Sequence, residues 1–105
     1  MIKCDFDYFK EIDNRDKSYW LGFLYADGYV RINEKNSAQF KLKLSSKDRN
    51  HIERFQRSIK SEHIIKDSIE SFTSNGKSYT SNASTLNIFN STFVKHLISQ
   101  GCVNN

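Results

Sequence analysis

Asp27 is the residue whose placement most suggests chemistry. Helical periodicity runs up to it and Gly28 follows. A carboxylate at a helix C-terminus faces the negative end of the macrodipole, unfavourable by about 0.3–1 kcal/mol if exposed. A divalent cation beside it reverses that sign, whereas an ordinary Asp-Gly turn requires none. Directly after it come side chains suited to a polyanion. Tyr29, Arg31 and Asn33 alternate with Val30 and Ile32, and Gln39, Lys41 and Lys43 alternate with Phe40, Leu42 and Leu44. Asn and Gln can pair with adenine edges and Arg with guanine. Residues 29–60 hold nine Lys/Arg against three Asp/Glu, a net of +6, while residues 1–28 hold four against six and residues 61–105 three of each. The basic excess therefore sits in the middle third, where it suits a phosphate backbone that releases counterions on binding, or forms a solvated basic face without a partner.

The elements that must position these residues follow from patterning. Asp16 is placed to N-cap a helix over 16–28 that Gly28 ends, and residues 1–15 read as an N-terminal arm or a short helix around Asp7 to Glu11 that packs its aromatics. Period-two alternation makes strands of 29–33 and 39–44, joined by Glu34-Lys35-Asn36-Ser37 into a hairpin. Ser45 with Asp48 reads as a capping box opening a second helix over about 46–60, with Ile52, Phe55 and Ile59 as its apolar stripe. A second hairpin spans His63 to Phe72 and Tyr79 to Phe89 around Ser74-Asn75-Gly76-Lys77. Asn90 or Ser91 caps a third helix with Phe93, Val94, Leu97 and Ile98, closed by Gly101. The order predicts an α+β αββαββα domain over 1–105: a four-stranded antiparallel sheet with helices on one face and its other face free.

Within the first helix Tyr19, Gly22 and Ala26 share one side, while Trp20, Leu21 and Leu24 point toward the core. Gly22 and Ala26 are four apart, so two such helices can approach closely; a tight contact within one domain is the other explanation for a glycine that costs about 1 kcal/mol relative to alanine.

The stretch Trp20-Leu21-Gly22-Phe23-Leu24-Tyr25-Ala26-Asp27-Gly28 resembles the motif of the LAGLIDADG homing endonucleases. Gly22, Ala26, Asp27 and Gly28 match its letters, Phe23 and Leu24 are conservative, and Tyr25 replaces its first acidic position. The lead-in Phe9-Lys10-Glu11-Ile12-Asp13 and Lys17-Ser18-Tyr19-Trp20 is similar to that of bacterial and phage members, and the element order extends the likeness over nearly the whole chain. The resemblance implies metal-dependent hydrolysis of double-stranded DNA at a near-palindromic site, in intron or intein mobility. Asp27 would hold Mg²⁺ (or Mn²⁺) at the scissile phosphate, and Ser46 and Lys47 would stand near the attacking water. Tyr29, Arg31, Asn33, Gln39, Lys41 and Lys43 would lie in the major groove. Tyr19, Gly22, Phe23 and Ala26 would form a homodimer interface through the motif helix. Two departures are visible: one motif copy where many relatives carry two, and no lysine after Asn105 where relatives commonly place one near the active site. A catalytically idle DNA-binding module of the same fold, or one half of a two-motif enzyme, are therefore alternatives.

Composition bounds the remaining classes. At 105 residues, with 37% hydrophobic and 27% charged, the chain is one ordinary globular domain. No apolar run approaches the roughly 18–20 residues of a membrane span, which together with two distant cysteines, Cys4 and Cys102, leads us to expect free thiols in an intracellular protein; the resemblance implies the cytoplasm or nucleoid of a bacterium or phage-infected cell. His51, His63 and His96 lack metal-ligand spacing and read as surface or cap residues. A single-stranded RNA binder is disfavoured because Tyr29 is nearly alone as a stacking residue on the polar strand face.

Overall fold

The computed structural model describes residues 3–32 and 37–102. Its order is α1 (Arg15–Asp27), β1 (Gly28–Ile32), β2 (Ala38–Ser45), a 3-10 turn (Ser46–Asp48), α2 (Arg49–Ser58), β3 (Lys66–Ser74), β4 (Lys77–Ile88) and α3 (Ser91–Ser99). The four strands form one antiparallel sheet in the order β1-β2-β4-β3. The expected α+β architecture is present, with its helices against one face. Phe40, Leu42, Leu86 and Ile88 on that face are buried with Trp20, Leu21 and Leu24 of α1, Ile52 and Phe55 of α2, and Phe93, Val94 and Leu97 of α3.

Helix boundaries follow local chemistry, with two corrections. Asn14, not Asp16, caps α1: its backbone is extended and its side chain accepts from the Lys17 N–H at 2.9 Å. Asp16 lies inside the first turn, where its charge still suits the dipole. The expected capping box at Ser45 does not form. Ser45 is the last residue of β2, paired with Ala83, and makes no cap hydrogen bond; a 3-10 turn intervenes before α2. At α3, Asn90 accepts from Phe93 N–H at 2.9 Å. Gly101, at φ +95°, closes that helix, with Gly101 N–H donating to Ile98 O and Cys102 N–H to Leu97 O, the paired bonds of a Schellman ending.

The N-terminal segment forms a turn rather than a helix, and it is part of the core. Phe9 is fully buried, with its ring 6.3 Å from Phe55 and 5.8 Å from Phe93. Asp5 N–H donates to Ile59 O and Glu62 N–H to Lys3 O, tying this segment to the end of α2. Both cysteines are free thiols; burial pushes the Cys4 thiol up to about 11, and burial also raises that of Cys102.

The second hairpin extends beyond the body. β2 pairs with β4 only from Ala83 to Ile88, so residues 77–82 of β4 have β3 as their only strand neighbour, and every residue from 66 to 82 is exposed. Asn75 and Gly76, both at positive φ, make the two-residue turn that the right-handed strand twist favours.

Two glycines in the motif region have opposite environments. A Cβ on Gly28 would sit 2.8 Å from Leu24 O, so close passage of the chain out of α1 excludes a side chain there; the backbone itself is ordinary and extended. A Cβ on Gly22 would meet nothing within 4 Å among the described residues, so packing against them does not explain that glycine. Gly28→Ala should therefore destabilise by about 1–3 kcal/mol, and Gly22→Ala should stabilise the isolated chain by up to about 1 kcal/mol. Urea unfolding of the two variants checks both signs.

Candidate nucleic-acid interface

Strand parity sorts the sheet into two faces. With Phe40, Leu42, Leu86 and Ile88 turned to the helices, the pairing puts Tyr29 and Arg31 of β1, Gln39, Lys41 and Lys43 of β2, and Thr85 and Asn87 of β4 on the opposite face. The same parity carries Lys66, Ser68, Glu70 and Phe72 of β3, and Tyr79 and Lys77 of β4, onto that face. Among the described residues it thus presents five cations (Arg31, Lys41, Lys43, Lys66, Lys77) and one strand carboxylate, Glu70. No helix covers it.

A shallow depression of about 290 Å³ opens at the β1–β2 end and is lined by Asp27, Tyr29, Arg31, Gln39, Lys41 and Lys43. Six residues singled out in the sequence thus meet at one place, joined there because α1 delivers Asp27 directly to the first residue of β1. Gln39 spends one amide donor on Asn87 Oδ1 at 3.1 Å, which orients it across the sheet. Lys43 is ion-paired with Glu70, both side chains being close to half exposed, while Arg31 and Lys41 form no ion pair among the described residues. Asn33 lies outside the described residues.

The remaining predicted residues are placed elsewhere. Ser46 is turned to the helix side, where its hydroxyl oxygen lies 3.3 Å from Ser84 Oγ. Lys47 lines a separate depression along α2 with His51, Arg54 and Arg57. Along α1, Tyr19, Gly22 and Ala26 form an exposed outer row. Tyr19 is 56% exposed although its hydroxyl meets His51 Nε2 at 3.1 Å. Phe23 is half-buried, packed edge-on against His51 at 4.6 Å and Trp20 at 5.8 Å, so its ring is largely engaged within the chain.

Sequence reasoning missed the contribution of the second hairpin. Its signal was Asn75-Gly76: a two-residue turn makes Ser74 face Lys77, hence Phe72 face Tyr79, and only their pairing to β2 through β4 reveals which side they share. Among the described residues no three His, Cys, Asp or Glu side chains gather as a ready-made metal cluster, and no helix is long and apolar enough to cross a membrane. Comparison with protein-family models, curated proteins and solved structures finds no match for this chain.

If this face attracts polyanions, Glu70 opposes that attraction by occupying Lys43. Glu70→Gln should elute from a heparin column at higher salt than the wild type, and Lys41→Ala at lower salt. Unchanged elution of both would place polyanion contact elsewhere.

Proposed function

We propose that this protein is a DNA-binding domain of the LAGLIDADG endonuclease type that hydrolyses phosphodiesters in double-stranded DNA as a two-fold dimer. The observation that carries the reading is the shared depression: the motif carboxylate, Asp27, opens onto the uncovered sheet face beside Arg31, Lys41 and Lys43. The cations hold phosphates while Gln39 offers hydrogen bonds to a base edge.

The donor set suits a hard cation sparingly. Mg²⁺ commonly takes one or two protein carboxylates and fills its shell with water and substrate phosphate oxygens, and Asp27 provides one such carboxylate. When bound, the ion would lower the pKa of its water and stabilise the departing oxyanion. Lys41, which forms no ion pair among the described residues, neutralises the phosphate alongside it, and Arg31 and Lys43 fix the backbone's register.

A second copy supplies a second Asp27 for the second strand. The outer row of α1 supports this arrangement: Gly22 is unexplained by packing against the described residues, Ala26 is small, and both are exposed. Two such helices can approach backbone to backbone about a two-fold axis, and identical halves then read a near-palindrome. The idle DNA-binding module is favoured by one observation, the position of Ser46 and Lys47 away from the Asp27 depression.

Three variants test this. Asp27→Asn should abolish Mg²⁺-dependent nicking of a broad duplex pool while leaving most DNA affinity. Lys41→Ala with Lys43→Ala should weaken duplex binding and reduce its log–log salt slope by about 1–2. A wild type that binds duplexes yet nicks none establishes the idle module; a wild type that binds no duplex defeats the proposal. Gly22→Leu should remain folded but sediment as a monomer, with and without duplex, where the wild type dimerises; a strictly monomeric wild type on DNA would remove the two-fold arrangement.

A further inference from the structure

We propose that the projecting β3–β4 ribbon selects base sequence through Phe72 and Tyr79, while the β1–β2 cations supply the sequence-independent grip. This rests on the duplex-binding reading above and assigns separate work to the two ends of one face.

Beyond its anchored root, the ribbon packs on no other described element. Six residues of β4 extend past the edge of β2, at about 3.3 Å each roughly 20 Å of two-stranded sheet without a covering layer. An isolated two-stranded hairpin is marginal in water, so its free state depends on the two-residue turn and the side chains that brace it. Phe72 and Tyr79 are cross-strand partners, stacked with centroids 5.3 Å apart and planes at 18°, yet 54% and 43% exposed. The stack is thus a preformed apolar plate offered to solvent on the same side as Lys41 and Lys43.

Charge distinguishes the ribbon from the rest of the face. The ribbon's formal charges balance, Lys66 and Lys77 against Asp67 and Glu70, but Asp67 is turned to Arg49 on the helix side and Glu70 holds Lys43, so Lys66 and Lys77 mark the root and the tip of its open side. Its other side chains are largely neutral hydroxyls and amides: Ser68, Ser71, Thr73, Ser78, Thr80 and Asn82 among them. With its two lysines confined to root and tip, the ribbon between them adds little counterion release and contributes little to non-specific affinity. A two-stranded ribbon has the width that the major groove admits, and an aromatic edge there contacts the thymine methyl group. Continuity with the cationic face places the groove against this ribbon when phosphates lie on Arg31 and Lys41.

The experiment is selection from a random duplex pool with wild type, Phe72→Ser with Tyr79→Ser, and Lys41→Ala with Lys43→Ala, each followed by salt titration. The expected result is that the aromatic variant keeps the wild-type salt slope but loses about tenfold discrimination at one or two base pairs. The lysine variant should keep the consensus and lose slope. Because removing the stack can disorder the ribbon, a second variant replaces residues 71–80 by Asn-Gly, with thermal unfolding confirming the body; it too should bind duplex without those base preferences. An unchanged consensus in both ribbon variants, or a wild type that binds duplex with no preference, overturns the assignment while leaving the DNA-binding reading intact. A ribbon variant that turns a dimer into monomers overturns it in favour of a contact between copies. A wild type that binds no duplex removes the reading beneath it.

Discussion

Four phenylalanines hold the architecture together. Phe9 lies against Phe55 and Phe93, and Phe40 lies against the same two rings at 5.8 and 5.3 Å, so the N-terminal segment, α2, α3 and β2 meet in one closed circuit of fully buried aromatics. Each such contact contributes about 0.5–1.5 kcal/mol beyond area burial, and the circuit holds the N-terminal segment, α2 and α3 on one side of the sheet, where Trp20 brings α1 against Phe55 at 5.3 Å. The uncovered face follows from that constraint. A chain of 105 residues has one core to build, and spending its large apolar side chains on one face leaves the other to polar residues.

The open face would be only a short patch if the second hairpin ended with β2. A polar latch on the helix side sets the ribbon's root instead. Ser84, fully buried, donates to Asp67 at 2.5 Å, and Arg49 binds both Asp67 oxygens through Nη1 at 2.8 and 2.7 Å while also meeting Glu53. The Ser84 hydrogen bond and then the Arg49 guanidinium hold the Asp67 carboxyl below the usual carboxylate range. Hydroxyl, carboxylate and guanidinium satisfy one another at the point where β3 leaves the body, so the ribbon departs in one direction although its far half packs on nothing. On the opposite side Glu70 reaches Lys43, so the ribbon is tied to α2 on one face and to β2 on the other.

Much of this was legible locally. Alternation over 29–33 and 39–44 separates core from polar side chains whatever the rest of the chain does, Asn75-Gly76 demands a tight turn, and Asn90 and Gly101 delimit α3 through bonds that span only a few residues. Where the local reading failed, two nearby groups competed for one role: Asn14 and Asp16 for the α1 cap, and strand pairing against capping at Ser45, which Ala83 decided from 38 residues away.

The sequence by itself determined which side chains share a strand face, that Asp27 ends a helix abutting that strand, and that the cations cluster in the middle third, because each depends on spacing along one element. Only the tertiary structure decided that Phe9 is core, that Ser46 turns to the helix side away from Asp27, and that Phe72 and Tyr79 share a face with Lys41. It also decided that Gly22 is open while Gly28 is pressed against Leu24. These depend on sheet order, register and the direction in which one element leaves another. Such relations arise from burying one common core, and no window of local sequence contains them.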